Sequence, residues 1–360
     1  MRTKPLSVLS TLDPVLRDTA IFGLVVDRPG TVVLRHDIVD GGIRRVVVDA
    51  GGVIEDLLVP LAHACLSCSV REDAVPTLAR LAADPRWDAV LMALPVSAES
   101  LPVVRALSWE SGPSGALGSL TLARVVTVVD GTGVEADLLG DDLLVERDIA
   151  LTEDDGRAVG EAAAAQLGHA DVVVVEGPAD AVDSDLVDHL RAADSIRIAG
   201  LSALSADAVF TGRHDVTAGE RRLDPAHAAP RADAPTGHGV WTLDLRSDRP
   251  LHPERLVREV ERLGNGPFRS RGHFWVPSRP DSVCVWDGAG FQLSIGAMGH
   301  WDGREPGTRL VFTGVGPGRD ELVAAFEEVL LTAEEYADGM HAWLGRADVL
   351  EPWLGERSGV

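Results

Sequence analysis

The chain has 360 residues, 45% of them apolar and 25% charged, which is enough for two ordinary domains and too apolar for wholesale disorder. Its formal charge of −23 argues against naked nucleic acid, DNA included, as a direct partner, because phosphate binding needs clustered cations; it is compatible with a basic protein partner or with simple solubility. Of 33 basic residues only Lys4 is a lysine, so lysine-dependent chemistry is nearly excluded by counting.

At the start of the chain, Asp13 and Arg17 interrupt the apolar stretch that a secretory signal needs. No run approaches the roughly 18 apolar residues of a membrane-spanning helix, so a cytosolic protein with no membrane contact is expected. Apolar, β-branched runs follow at 6–9, 22–26, 31–34, 46–48, 89–94, 124–129 and 171–175, each read as a strand. Near-continuous Val, Leu and Ile runs are what strands covered on both faces require. Residues 1–215 are therefore expected to form an α/β domain with a doubly wound, mostly parallel sheet. Val75, Leu78 and Leu81 carry helical spacing after Arg71-Glu72-Asp73, whose acids suit the positive end of a helix dipole.

Residues 216–238 change to Ala, Pro, Asp, His and Gly without apolar period and read as a linker. A smaller α+β domain is expected over 239–335. It opens with Trp241, Leu243 and Leu245 alternating as a half-buried strand. A helix follows with Leu256, Val257, Val260 and Leu263 on one face and Glu254 spaced to pair with Arg258. Further strands are expected at 273–276, 282–286, 292–295 and 310–313, then a helix carrying Leu322, Phe326, Val329 and Leu330. Residues 336–360 read as a tail.

The most specific local signal is Cys65-Leu66-Ser67-Cys68. Two thiols at this spacing can share one zinc ion, which favours four soft or nitrogen ligands in a tetrahedron. They fill half a site; His63, His36, Asp37, a water or another molecule would have to supply the rest. A redox pair with a lowered thiol pKa at a helix start is the competing reading, and two thiols without any ligand a third. Cys284, inside Val283-Cys284-Val285, reads as a small buried apolar side chain.

A phosphate-cradling loop is conspicuously missing. Such a loop needs glycines for close backbone approach and a lysine for the β/γ-phosphates, opening a helix after the first strand. Residues 10–19 contain neither, while Asp13 and Asp18 would repel phosphate and Arg17 reads as a solvated surface residue, with contact to an anion the alternative. GTP with magnesium is not expected, and no catalytic or cofactor-binding residue is assigned. Asp130, at the end of its strand, reads as a ligand-edge carboxylate or a helix cap. Glu176, Gly177, Pro178, Ala179 and Asp180 read as a turn, and His214, His227 and His238 as solvated loop histidines, with weak metal binding the alternative.

Several of these segments resemble the CobW-like family of P-loop GTPase metallochaperones. Cys65–Cys68 followed by Arg71-Glu72-Asp73 resembles its Gly-Cys-x-Cys-Cys segment, with Ser67 at the middle cysteine, and 125–130 resembles its Val-Val-Asp segment. Arg249-Pro250-Leu251-His252-Pro253-Glu254-Arg255-Leu256 is similar to the opening of the CobW C-terminal domain. Arg269-Ser270-Arg271-Gly272-His273-Phe274-Trp275 is similar to its Arg-Ser-Lys-Gly-Phe-x-Trp, and 299–301, 310–314 and 331–335 continue in register. The resemblance implies a P-loop GTPase-like domain, here degenerate, joined to a CobW C-terminal domain. It also implies a metal role, with Cys65, Cys68, His63 and Asp37 as the expected set. The family's guanine-specifying Asn-Lys-x-Asp is replaced by 176–180.

A narrower likeness rests on Met1-Arg2-Thr3, 28–33 and 63–73, which resemble an actinobacterial subgroup of ribosome hibernation factor-recruiting proteins. That subgroup is linked to zinc starvation, when a hibernation factor is brought to the small ribosomal subunit. It implies a zinc-responsive, non-hydrolysing adaptor whose partner is the hibernation factor or another basic ribosome-associated protein. The alternative implied by the wider family is a zinc metallochaperone with residual GTP binding or hydrolysis.

Overall fold

The computed structural model describes residues 3–61, 65–229, 236–343, 346 and 349–355. They form two compact units, one of residues up to Val134 with Asp142–Arg222, the other of Glu135–Asp141 with the chain from Leu223 onward.

The first unit begins with β1 (Lys4–Thr11) and α1 (Pro14–Asp27). Arg17, Ala20, Ile21, Leu24 and Val25 recur at helical spacing and are the buried face of α1, while Phe22 and Val26 stay exposed. The strand expected at 22–26 is therefore helix. A short apolar run does not distinguish the two periods, whereas Asp13 and Pro14 carry the helix-start signal that decides it. There follow β2 (Thr31–Val39), β3 (Gly42–Asp49) and β4 (Gly52–Pro60) as antiparallel neighbours. Next come α2 (Leu66–Ser69), one π-helical turn (Val70–Ala74) and α3 (Val75–Ala83).

Then come β5 (Ala89–Ala93), α4 (Ser100–Glu110), β6 (Leu120–Asp130) and the short α5 (Val134–Leu139). After these run α6 (Val159–His169), β7 (Val172–Glu176), α7 (Ala181–Leu190), β8 (Ile196–Ala199) and α8 (Ala206–Phe210). The eight strands lie in the order β4-β3-β2-β5-β1-β6-β7-β8. All pairings from β2 across to β8 are parallel, and only the β2-β3-β4 edge is antiparallel. Apolar clusters cover both faces of the parallel part, which is why its strands read as unbroken Val and Leu runs.

The residues expected as a linker contain α9 (Val216–Leu223), whose one buried residue is Gly219. A helix with a single small buried contact leaves no apolar period in the sequence. The second unit is a five-stranded antiparallel sheet, β12-β11-β10-β13-β9, from β9 (Val240–Ser247), β10 (Phe268–Phe274), β11 (Ser282–Ala289), β12 (Gln292–His300) and β13 (Thr308–Val315). Helices α10 (Pro253–Gly264) and α11 (Arg319–Val329) contribute Leu256, Leu263, Leu322 and Phe326 to its core, beside Phe274, Cys284 and Trp286. The pair expected between Glu254 and Arg258 does not form: Arg258 reaches Glu259 at 2.8 Å and Glu254 approaches His252.

Helices α12 (Ala333–Ala337) and α13 (Glu351–Leu354) end the described chain. Residues 336–360 are not wholly a tail, because Leu350 and Leu354 are buried in the second core. Arg279 donates to the carbonyls of Leu354 and Gly355 at 3.1 and 2.6 Å.

Candidate functional site

In a mostly parallel sheet the carboxyl ends of the strands form the usual ligand edge, and β1 sits in the middle of it. Only Leu12 and Asp13 separate β1 from α1. The Asp13 carboxylate accepts from the N–H groups of Val15 at 2.6 Å and Leu16 at 3.0 Å. Those donors, together with the helix dipole, are what would otherwise hold a phosphate. The chain supplies its own anion instead. The preceding carbonyl, of Thr11, accepts from the Ser97 N–H at 3.1 Å and from the Gln166 amide at 3.4 Å. Ser97 takes a left-handed φ of 66°, a strained setting for a serine that its surroundings must enforce.

One turn into α1, Arg17 is 4% exposed, which overturns its reading as a solvated residue. It donates to the Leu94 carbonyl at 3.0 Å and pairs with Asp37 at 2.6 Å. Arg35 pairs with the same Asp37 at 3.2 Å and donates to Asp18 at 3.0 Å. Asp37, expected as a metal ligand, thus lies between two guanidinium groups. At the other strand ends Asp130 holds Thr132, Glu176 accepts the Leu201 N–H, and Asp180 caps α7 through Asp183. At the β1–α1 connection, then, the helix N-terminus is capped by Asp13 and the nearby Arg17 is already paired with Asp37.

The thiols are arranged differently. Cys65 is exposed and caps α2, its sulfur accepting from the Cys68 N–H at 3.2 Å; Cys68 is half-buried. The interaction between the two sulfurs holds Cys65 below the ordinary cysteine range, helped by the Cys68 and Ser67 backbone and by Arg71, and pushes Cys68 above it. One sulfur is thereby favoured as thiolate, the form that binds metal or attacks a disulfide. Leu66, Val70, Ala74 and Leu78 anchor the segment in the core below.

The π-turn aims Asp73 inward, where its carboxylate meets His36 Nε2 at 2.9 Å and Arg45 at 2.5 Å. Burial works to raise the Asp73 pKa, and His36 and Arg45 more than reverse it, holding the carboxyl below its usual range. Arg45 also pairs with Glu55, which pairs with Arg80 at 2.7 Å. His36, weighed as a ligand, is fully buried on Asp73. His63 lies outside the described residues. Among the described residues no group of three or more His, Cys, Asp or Glu is placed to hold a metal.

Sequence reasoning missed a buried network. His214, expected in solvent, is 4% exposed and pairs with Asp171 at 2.7 Å, and Arg222 donates to Asp171 at 2.9 Å and to Asp194 at 2.7 Å. No local signal marks it, because its members come from the residue before β7, the α7–β8 and α8–α9 connections, and α9.

Two domain families match the chain. The CobW/HypB/UreG nucleotide-binding domain matches residues 31–197, and the cobalamin synthesis protein CobW C-terminal domain matches residues 240–330. The chain belongs to the CobW family. The nucleotide-binding match begins at Thr31 and so leaves out β1, α1 and the connection that Asp13 closes. Among CobW-family relatives, a zinc chaperone of Mycobacterium tuberculosis is 29% identical over 295 residues, covering 78% of this chain and 70% of that protein. A zinc-regulated GTPase metalloprotein activator of Dictyostelium discoideum is 24% identical over 266 residues, covering 68% of this chain and 55% of the relative. The Zn(II)-bound YjiA GTPase of Escherichia coli overlaps 91% of this chain and 99% of its own at 13% identity, with a TM-score of 0.36.

Proposed function

We propose that this CobW-family chain is a zinc-responsive adaptor that works without nucleotide hydrolysis, taking zinc as cargo or signal at Cys65 and Cys68. The observation that carries the reading is a contrast within one unit. The helix start that would bind phosphate is closed by Asp13 and by the Arg17–Asp37 pair, while the thiol pair stays open to solvent. A site with two protein thiols leaves coordination positions for a second protein, as delivery or zinc-dependent recruitment requires. His63 is the nearest further donor in sequence to Cys65.

The strongly acidic chain fits a basic partner, and the likeness of 63–73 to the hibernation factor-recruiting subgroup names one: a ribosome hibernation factor brought to the small ribosomal subunit when zinc is scarce. The wider family and the zinc-chaperone names of its relatives support a second reading, a zinc metallochaperone with residual GTP binding.

Three measurements separate these readings. Zinc binding to the full chain should fall at least tenfold in a Cys65→Ser/Cys68→Ser variant. GTP with magnesium should leave the melting temperature unmoved, whereas a shift would favour the metallochaperone. Small-subunit and hibernation-factor association should differ between zinc-replete and zinc-chelated conditions, and no association in either state would sink the adaptor.

A further inference from the structure

His169 ends α6, and His214 lies in the connection from α8 to α9. Their exposures are 0% and 4%, and the rings meet edge-on with centroids 5.3 Å apart. One nitrogen of each ring is spoken for: His214 Nδ1 sits 2.7 Å from Asp171 Oδ2, and His169 Nδ1 sits 2.7 Å from Ser100 Oγ. The two remaining Nε2 atoms are buried without a hydrogen-bond partner. Both lie close to Gly219: the position of a Cβ there would be 2.9 Å from His214 Nε2, 3.0 Å from His169 Nε2 and 3.0 Å from His214 Cε1. Gly219 leaves that position open.

A buried polar atom left unmet costs about 1–3 kcal/mol, so two neighbouring ones mark a place for an occupant. The anchoring favours a metal. An imidazole that donates through Nδ1 to a carboxylate or hydroxyl presents an oriented lone pair at Nε2, which is how protein histidines are held for ligation. Among the described residues no third His, Cys, Asp or Glu completes a set, and Arg222 already neutralises Asp171. Both facts disfavour a buried dication with four ligands.

We propose that His169 and His214 form a buried two-coordinate site for a monovalent d10 cation of the Cu(I) class, sharing no residue with the thiol pair. The Nε2 atoms are its ligands, and Asp171 and Ser100 orient them.

The test uses the full chain carrying Cys65→Ser and Cys68→Ser, titrated anaerobically with Cu(I) against a chromophoric chelator and separately with Zn(II). One Cu(I) per chain is expected, with X-ray absorption showing two nitrogen neighbours. Binding should be lost in His169→Gln and His214→Gln and weakened roughly 10–100-fold in Ser100→Ala. Gly219→Ala, which sets a methyl about 3 Å from both Nε2 atoms, should also abolish binding, and an unchanged circular dichroism spectrum of each metal-free variant guards against misfolding as the explanation. The proposal is overturned if the thiol-free chain takes up no Cu(I), if the His and Gly219 variants bind as well as their parent, or if Zn(II) binds as tightly as Cu(I).

Discussion

Arg17 and Asp73 show how single side chains fix the site. Each is a charge within the outer turns of the first unit, and each is held by partners from distant strands: Leu94 and Asp37 for Arg17, His36 and Arg45 for Asp73. Removing one member of a buried pair strands the other, at about 3 kcal/mol. Asp73→Asn should therefore lower unfolding stability by roughly that amount in urea titration. Because Asp73 lies on the π-turn after the thiols, the same variant should speed Cys68 modification by a thiol reagent. Unchanged stability and reactivity would disprove the tie.

Glu335 offers a pH test in the second unit. Arg255 holds its carboxyl down at about 2, far under the usual 4.5, with the Thr332 N–H helping. A lowered folded pKa contributes stability that is complete above the unfolded value and lost as pH falls toward the folded one. The melting-temperature gap between the chain and Glu335→Gln should accordingly be full at pH 7 and close between about pH 4.5 and pH 2. A gap independent of pH would rule the charge out.

At the scale of elements, α1 carries the main lesson about what a sequence discloses. The parallel strands were legible because both of their faces are buried and the alternation that would confuse them is absent. The run at 22–26 misled because five apolar residues satisfy either period, while the informative residues, Asp13 and Pro14, stand outside the run. Arg17 and His214 were misread for a related reason. A lone polar residue is placed in solvent by default, and its burial depends on partners 77 and 43 residues away. The place of the thiol pair at a helix start, by contrast, was legible from the sequence. Asp13→Ala should cost about 1 kcal/mol of stability through the lost cap, read in urea titration, and should not by itself create nucleotide affinity in calorimetry. Tight GTP binding by that single variant would mean that Asp13 alone shuts the edge.

For the whole molecule, charge sets how partners arrive. A net −23 attracts a basic protein over distances comparable with the Debye length, about 10 Å at 0.1 M salt. Association with a basic partner should slow steeply between low and high ionic strength, with the dissociation rate changing less. Rates insensitive to salt would assign the acidity to solubility alone. Among the described residues no helix is long and apolar enough to cross a membrane.

The two-residue passage from β1 into α1 also bears on how this edge could be opened. Freeing the helix start would require changing Asp13, and a lysine in place of Arg17 would give up part of its contact with the Leu94 carbonyl and Asp37. Each step alone weakens the protein before any nucleotide can be held. The short connection thus couples the order of this edge to the stability of the first unit: opening it would loosen α1 at both its cap and its buried arginine.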